Sequence, residues 1–414
     1  MTSFLILIVI LALGYLSAEF IFKKLQSRFY APSGIEYILL GILVGPSFAN
    51  WISGLGWISF QPLISKDILR QINPGISAAI GVTGFVYGLN FRFADLRGSR
   101  PEYWRLTFFI LLAAALILGG ISYLIFSFSG LFDVSPGVAL ASSYALAIAG
   151  AVTSNFLIRS VISGNHAEGP VTDTLNKTSL LLISISILTF GLLFSIVHLG
   201  EKRGLNLSPT EWIVLSVLLS VFIGFLFFVF VARETDSNKL FVAVLGIVLF
   251  SAGAAYYLNF SPLFANFILG MVLTNLSRFS DKLRKSFETL LHPLGILIVI
   301  AAGFYWVPAP ILTFIPAVLL YIGLRYLAIY WGGKIAYFTA YDKIHFAPAI
   351  GKGLLSSDII VCAIVLDYIY VYNNTLTPVV ISAILSSMIY FGITGFSETK
   401  KLLIDSGEIK GDLL

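Results

Sequence analysis

The sequence predicts an all-α integral membrane protein of about 13 transmembrane helices, two of them discontinuous, and three observations carry that prediction. First, 58% of the 414 residues are hydrophobic and 11% are charged. A soluble domain carries roughly 25% charged residues, so this chain cannot cover a water-facing surface. Second, apolar segments of spanning length, roughly 17–25 residues each, recur along almost the whole chain. Third, the basic residues collect in alternate connections.

Taken in order, the apolar segments lie at 4–22, 34–50, 74–91, 104–128, 136–162, 174–198, 209–232, 239–258, 260–276, 288–306, 308–334, 353–372 and 375–396. No basic residue precedes 4–22 and no small-x-small cleavage pattern closes it, so it is expected as a retained span. Residues 1–396 then form one transmembrane domain, and 397–414 form a short tail with Lys400, Lys401 and four acidic residues. One set of loops holds Lys23, Lys24 and Arg28, then Arg92, Arg97, Arg100 and Arg105. Further along it holds Arg278, Lys282, Arg284 and Lys285, and finally Lys334 and Lys343. The opposite set holds few: Lys66 and Arg70, then Lys202 and Arg203. That asymmetry puts the N-terminus outside and the C-terminus in the cytoplasm, with the plasma (inner) membrane the expected location. It also accounts for the net charge of +5 without invoking nucleic acid. The single cysteine, Cys362, excludes an internal disulfide framework. The four histidines are scattered, and no haem, zinc or phosphate-loop signature is present, so no cofactor is expected.

Two segments make poor continuous helices. The fifth carries Gly150 and Thr153-Ser154-Asn155 near its middle, in "AGAVTSNFLIRS". The twelfth begins "GKGLLSSDIIVC", with Gly351, Gly353, Ser356, Ser357 and Asp358 in its first half. Small residues of this kind serve close helix packing. They also mark breaks whose half-helix ends face a midplane site at corresponding positions of two inverted repeats. The pair stands seven spans apart, and so do "GIEYILLGILVGP" (Gly34–Pro46) and "SPLFANFILGMVLTN" (Ser261–Asn275), which share a small-residue rhythm.

"LLGILVGP", "YGLNFRFADLR" (Tyr87–Arg97), "SPLFANFILGMVLTN", a basic loop and "HPLGILIVIAAGF" follow one another in the order of the monovalent cation/proton antiporter superfamily, which the chain resembles over nearly its whole length. The resemblance implies the sodium/proton antiporter fold, with inverted repeats and two broken helices crossing at an ion site. It also implies interleaved dimerisation and core subdomains, a homodimer, and an elevator-like movement of the core that exchanges Na⁺ or K⁺ for protons. Ser154-Asn155 match the polar step that the superfamily places at the fifth-span break. Its sixth-span acidic pair falls on Ile183-Ser184, and a glutamate of some members falls near Ser179. No Asp or Glu stands between Asp173 and Glu201. Arg325, in "YIGLRYLAIYWGGK", matches the basic residue of the eleventh span, and Asp358, in "LSSDI", matches the acid of the twelfth.

Proton-coupled exchange needs a group that takes either a proton or a cation. A buried carboxylate does this, whereas Asn155 and Ser184 hydrogen-bond without titrating. A buried guanidinium at Arg325 stays charged and needs partners. The candidate ion-binding and transport residues are therefore Thr153, Ser154, Asn155, Ser184, Arg325 and Asp358. Asp358 reads either as a titrating ligand, or as the counter-charge of Arg325 or the cap of a half-helix. Asp367 is expected at the outer interface, Glu19 and Glu36 at solvated span ends, and Lys177 snorkelling at the entry to the sixth span. Two functional classes stay open. One is a carrier of a small monovalent ion, or less readily of an anion or neutral solute. The other is a transporter-fold protein that no longer exchanges cations and serves a partner membrane or cytoplasmic subunit as sensor or scaffold.

Overall fold

The computed structural model describes residues 34–54, 66–196, 208–231, 237–276, 280–307, 311–341, 343–357 and 359–409. The first expected span, Glu19 and the candidate residue Asp358 lie outside them. All regular structure among the described residues is helical. In chain order the helices are α1 (Ile35–Val44), α2 (Pro46–Gly54), α3 (Lys66–Leu89), α4 (Phe93–Arg97) and α5 (Pro101–Phe128). Then come α6 (Pro136–Ala151), α7 (Asn155–Asn165), α8 (Pro170–Ile196), α9 (Pro209–Val231), α10 (Ser237–Tyr257), α11 (Pro262–Leu276) and α12 (Ser280–Phe304). The chain closes with α13 (Ile311–Thr339), a 3₁₀ segment (Ile350–Leu354), α14 (Ile359–Val371) and α15 (Thr377–Asp405). Nine helices among the described residues are long and apolar enough to cross a membrane, or ten if the bent pair α1–α2 is one span. The protein is thus an integral membrane protein.

Helix ends follow local chemistry. Pro136, Pro170, Pro209 and Pro262 each open a helix, where the missing N–H costs nothing. The third span starts at Lys66 rather than at 74, because a polar turn (Lys66, Asp67, Arg70) winds on to the apolar stretch and Pro74 is accommodated inside the helix. Spanning helices tolerate such a proline where neighbours satisfy the freed backbone. Glu36, expected in solvent, is buried, and its Oε2 accepts the N–H of Gly34 at 3.0 Å. The last helix continues past Phe396 to Asp405, and the chain then turns back. Glu408 there accepts the N–H groups of Val171 and Thr172, each at 2.7 Å, at the start of α8. Its carboxylate sits on the positive end of that helix.

The helices associate in two sets. In the first, α3 lies along α11, α12 lies along α1, and α9 and α10 pack on these. In the second, α5, α6, α7, α8, α13, the 3₁₀ segment and α15 pack together. The half-helix α14 is wedged between them, touching α12, α11 and α3 on one side and α15, α6 and α8 on the other. Glycines set the two closest approaches of the first set. A Cβ at Gly88 would stand 2.1 Å from the carbonyl of Phe267, and one at Gly270 would stand 2.3 Å from that of Phe85. The α1–α12 pair repeats the device, with Gly41 against Ile300 and Gly303 against Ile38. Gly41 and Gly270 occupy the two repeated motifs of the sequence.

Candidate functional site: two broken helices stapled by a buried arginine

The fifth span breaks after Ala151. Val152 and Ser154 take extended backbone, and α7 starts at Asn155 with Ser154 as its cap, the hydroxyl accepting the N–H of Leu157 at 3.1 Å. The twelfth span is a 3₁₀ turn, an irregular stretch from Leu355, and then α14. The breaks meet where the N–H of Ser154 donates to the carbonyl of Ser356 at 3.0 Å. The chain bends here because extended residues cannot satisfy the preceding helix's last carbonyls, which need donors from elsewhere.

Arg325 supplies those donors. It lies on α13 and is 1% exposed. Its Nε donates to Gly150 O at 3.0 Å and its Nη2 to Val152 O at 3.1 Å. Its Nη1 donates to the hydroxyls of Ser357 at 2.6 Å and Ser387 at 3.1 Å, and the guanidinium lies 4.9 Å over the ring of Phe391. One planar fork therefore ties α6, the twelfth-span break and α15 together. Tyr321, one turn earlier, donates to Leu146 O at 2.9 Å. Gly150 sits close to its neighbours, since a Cβ would come 2.4 Å from the end of the Leu118 side chain and 3.2 Å from the Tyr321 hydroxyl, which would have to shift.

On the far side of the break Asn155 faces α8. Its Nδ2 is within reach of Ser179 Oγ at 2.6 Å, Asn176 Oδ1 at 2.9 Å and Asn176 O at 3.1 Å, so two N–H groups are shared among three acceptors. Arg159 adds a contact to Asn176 Oδ1 at 3.3 Å. Thr153 and Ser356 bring buried hydroxyls to the crossing, and neither has a hydrogen-bond partner among the described residues. The arrangement offers neutral oxygen atoms and backbone dipoles around a break, with one fixed positive charge behind it.

Of the sequence candidates, Thr153, Ser154, Asn155 and Arg325 converge on the breaks. Ser184 is buried on α8, five residues beyond Ser179, and it is Ser179 and Asn176 that meet Asn155. Asp358 follows Ser357, a partner of Arg325, but lies outside the described residues. Sequence reasoning missed Asn176 and Ser387; the Asn in "TLNKTS" and the Ser-Ser step in "ILSSMIY" were the available signals. It also misplaced Asp367. Instead of lying at an interface, that carboxyl is fully buried on α14 and accepts the hydroxyl proton of Ser261, at the start of α11.

Comparison with known proteins bears on this geometry. Residues 8–399 match the model of the family described as sodium/hydrogen exchanger, transmembrane. No curated protein matches the chain in a sequence comparison. Among solved structures, the chain is similar to the sodium proton antiporter MjNhaP1 from Methanocaldococcus jannaschii at pH 8, with a TM-score of 0.68 and 16% identity over 98% of both chains. An electron-microscopy structure of the same antiporter gives a TM-score of 0.60 and 17% identity over 96% of both chains. The fold is the antiporter fold.

Proposed function

Because the chain belongs to the sodium/hydrogen exchanger family, we propose that it is a secondary transporter that exchanges a monovalent cation, Na⁺ or K⁺, for protons. The observation that carries the reading is the crossing itself: two breaks joined by the Ser154–Ser356 bond, with the buried hydroxyls of Thr153 and Ser356 left unpartnered beside it. Unpaired oxygens at such depth suit a small cation that exchanges water for protein oxygen. In this reading Thr153, Ser154, Asn155 and Ser184 supply neutral ligands, and Asp358 supplies the acid. Arg325 holds the breaks in register and balances that acid when it is ionised. The cation is substrate, and the set of helices around Arg325 moves as an elevator against the α3–α11 set, within a homodimer. The likeness to MjNhaP1, a sodium proton antiporter, supports the same direction.

One observation favours a second reading, a transporter-fold subunit that no longer exchanges ions. The α8 residues that meet Asn155 are Asn176 and Ser179, and neither titrates. Purified protein in liposomes loaded with a pH-sensitive dye, challenged with Na⁺, K⁺ or Li⁺ gradients, separates the two. Exchange is expected, and Asp358→Asn is expected to abolish it. A native protein that moves neither protons nor labelled cations would remove the carrier reading. A co-purifying membrane or cytoplasmic subunit would then support the second.

A further inference from the structure

We propose that Asp367 is a proton-binding site on the seam between the two helix sets, and that its protonation gates the sliding of one set against the other. The inference rests on the transport reading above. Asp367 is on α14, the half-helix wedged between the sets, and Ser261 immediately precedes α11 in the first set. One carboxyl oxygen accepts from Ser261, whose own oxygen accepts the N–H of Phe264 at 3.0 Å. The other, Oδ1, is buried with no hydrogen-bond partner among the described residues.

A carboxylate in that position has the Ser261 hydroxyl and the Leu263 N–H against it, but one oxygen stays without a donor in an apolar seam, a costly place for a charge. Adding one proton to Oδ1 makes the group neutral and gives it a donor. A candidate acceptor is near: Tyr370 is three residues on, on the same face of α14, and its hydroxyl is buried beside Tyr305. The ring of Tyr370 packs edge-on against Tyr256 and Tyr305, at centroid distances of 5.8 and 5.9 Å, and the Tyr305 hydroxyl donates to Asn73 at 2.5 Å. Asn73, Tyr256, Tyr305 and Tyr370 line a cleft of about 850 Å³ on the face that carries Asn374. Protons thus have a polar path from that cleft to the seam.

The groups facing Asp367 are Tyr370 on its own helix, Ser261 and the Leu263 N–H at the start of α11, and behind Tyr370 the rings of Tyr256 on α10 and of Tyr305 just after α12. From α3 the cleft receives Asn73 and Arg70, the latter exposed beside Asp67. Elements α6, α8 and α15 bring no buried charged side chain, since Glu36 and Arg325 are the other two buried charged residues among those described. In the closed seam Oδ1 holds the proton. When the sets slide apart, Ser261 is drawn off, water reaches the carboxyl, and the proton leaves to solvent as the carboxylate hydrates.

The test is exchange in liposomes across a pH series, with Asp367→Asn, Asp367→Glu and Ser261→Ala beside the native protein and thermal melting as the check on folding. Asp367→Asn is expected to lower proton-coupled exchange about tenfold or more and to flatten its pH profile, while Asp358→Asn abolishes exchange. Ser261→Ala is expected to move the pH profile while keeping the maximal rate. A folded Asp367→Asn protein with native rate and profile overturns the proposal. If Asp367→Asn does not fold, an unchanged pH profile in Ser261→Ala overturns it instead. If the native protein does not exchange at all, the transport reading fails separately. Infrared difference spectra then decide on Asp367: a pH-dependent carboxylic acid band lost in Asp367→Asn supports proton binding there, and the absence of such a band overturns it.

Discussion

Arg325 donates four hydrogen bonds from a fully enclosed position, and two of them go to carbonyls that the break in the fifth span has released. Arg325→Ala strands both carbonyls, at about 1–3 kcal/mol each. Its thermal unfolding in detergent is expected several degrees below native, and an unchanged melting curve would remove the stapling role. Arg325→Lys keeps the charge but cannot span Gly150, Val152, Ser357 and Ser387 at once, so it is expected to fall between the two. Asn155→Asp places a carboxylate against Asn176 and Ser179, where the sixth-span acids are absent. Exchange is expected to become more steeply pH-dependent, as read by the same dye assay. Thr153 and Asn155 were legible because polarity clusters inside an apolar run, and Arg325 through the family resemblance. Ser387 and Asn176 were not. A lone hydroxyl in a spanning helix commonly satisfies itself on the carbonyl one turn back, as Thr83 does on Ala79 and Ser195 on Gly191. The Asn of "TLNKTS" and the Ser-Ser step of "ILSSMIY" mark polarity in the run, but not that these side chains turn to Asn155 and Arg325.

At the scale of the element, the glycine-backed contact of α3 with α11 makes two positions in one helix behave oppositely. Gly88→Ala drives a methyl into the Phe267 carbonyl, 2.1 Å away, and is expected to lower yield and melting temperature. Gly75→Ala meets nothing within 4 Å and is expected to be neutral or slightly stabilising, since alanine is worth roughly 0.5–1 kcal/mol over glycine inside a helix. Equal effects of the two would show that backbone approach does not set this packing. The all-helical succession of apolar spans was readable from the apolar runs because the bilayer fixes their length. The ends were less so. Lys66 and Arg70 wind on to α3 and Glu398 lies within α15, since helices extend beyond the hydrocarbon wherever their polar turns remain satisfied.

For the whole molecule, the spans should sit in the membrane with the Arg100, Arg105 and Lys343 end in the cytoplasm. Cys362 is buried and is the chain's only cysteine, so introduced thiols report cleanly. Tyr341 is 99% exposed at that end, where Arg105 donates to Thr339 O, and Asp133 is exposed beyond the other end of α5. A membrane-impermeant thiol reagent is expected to reach Asp133→Cys from outside and Tyr341→Cys only after lysis; the reverse pattern would invert the topology. The two-set arrangement could be expected only through the family resemblance, because which spans pair depends on contacts far apart in the chain. The Glu408 cap on α8 is such a contact. It joins residues 237 positions apart, and at about 5–20 residues per second a ribosome takes roughly 10–50 s between making Val171 and making Glu408. Throughout that interval the first amides of α8 lack the cap that Glu408 gives them. Only once Glu408 has been made can they be closed.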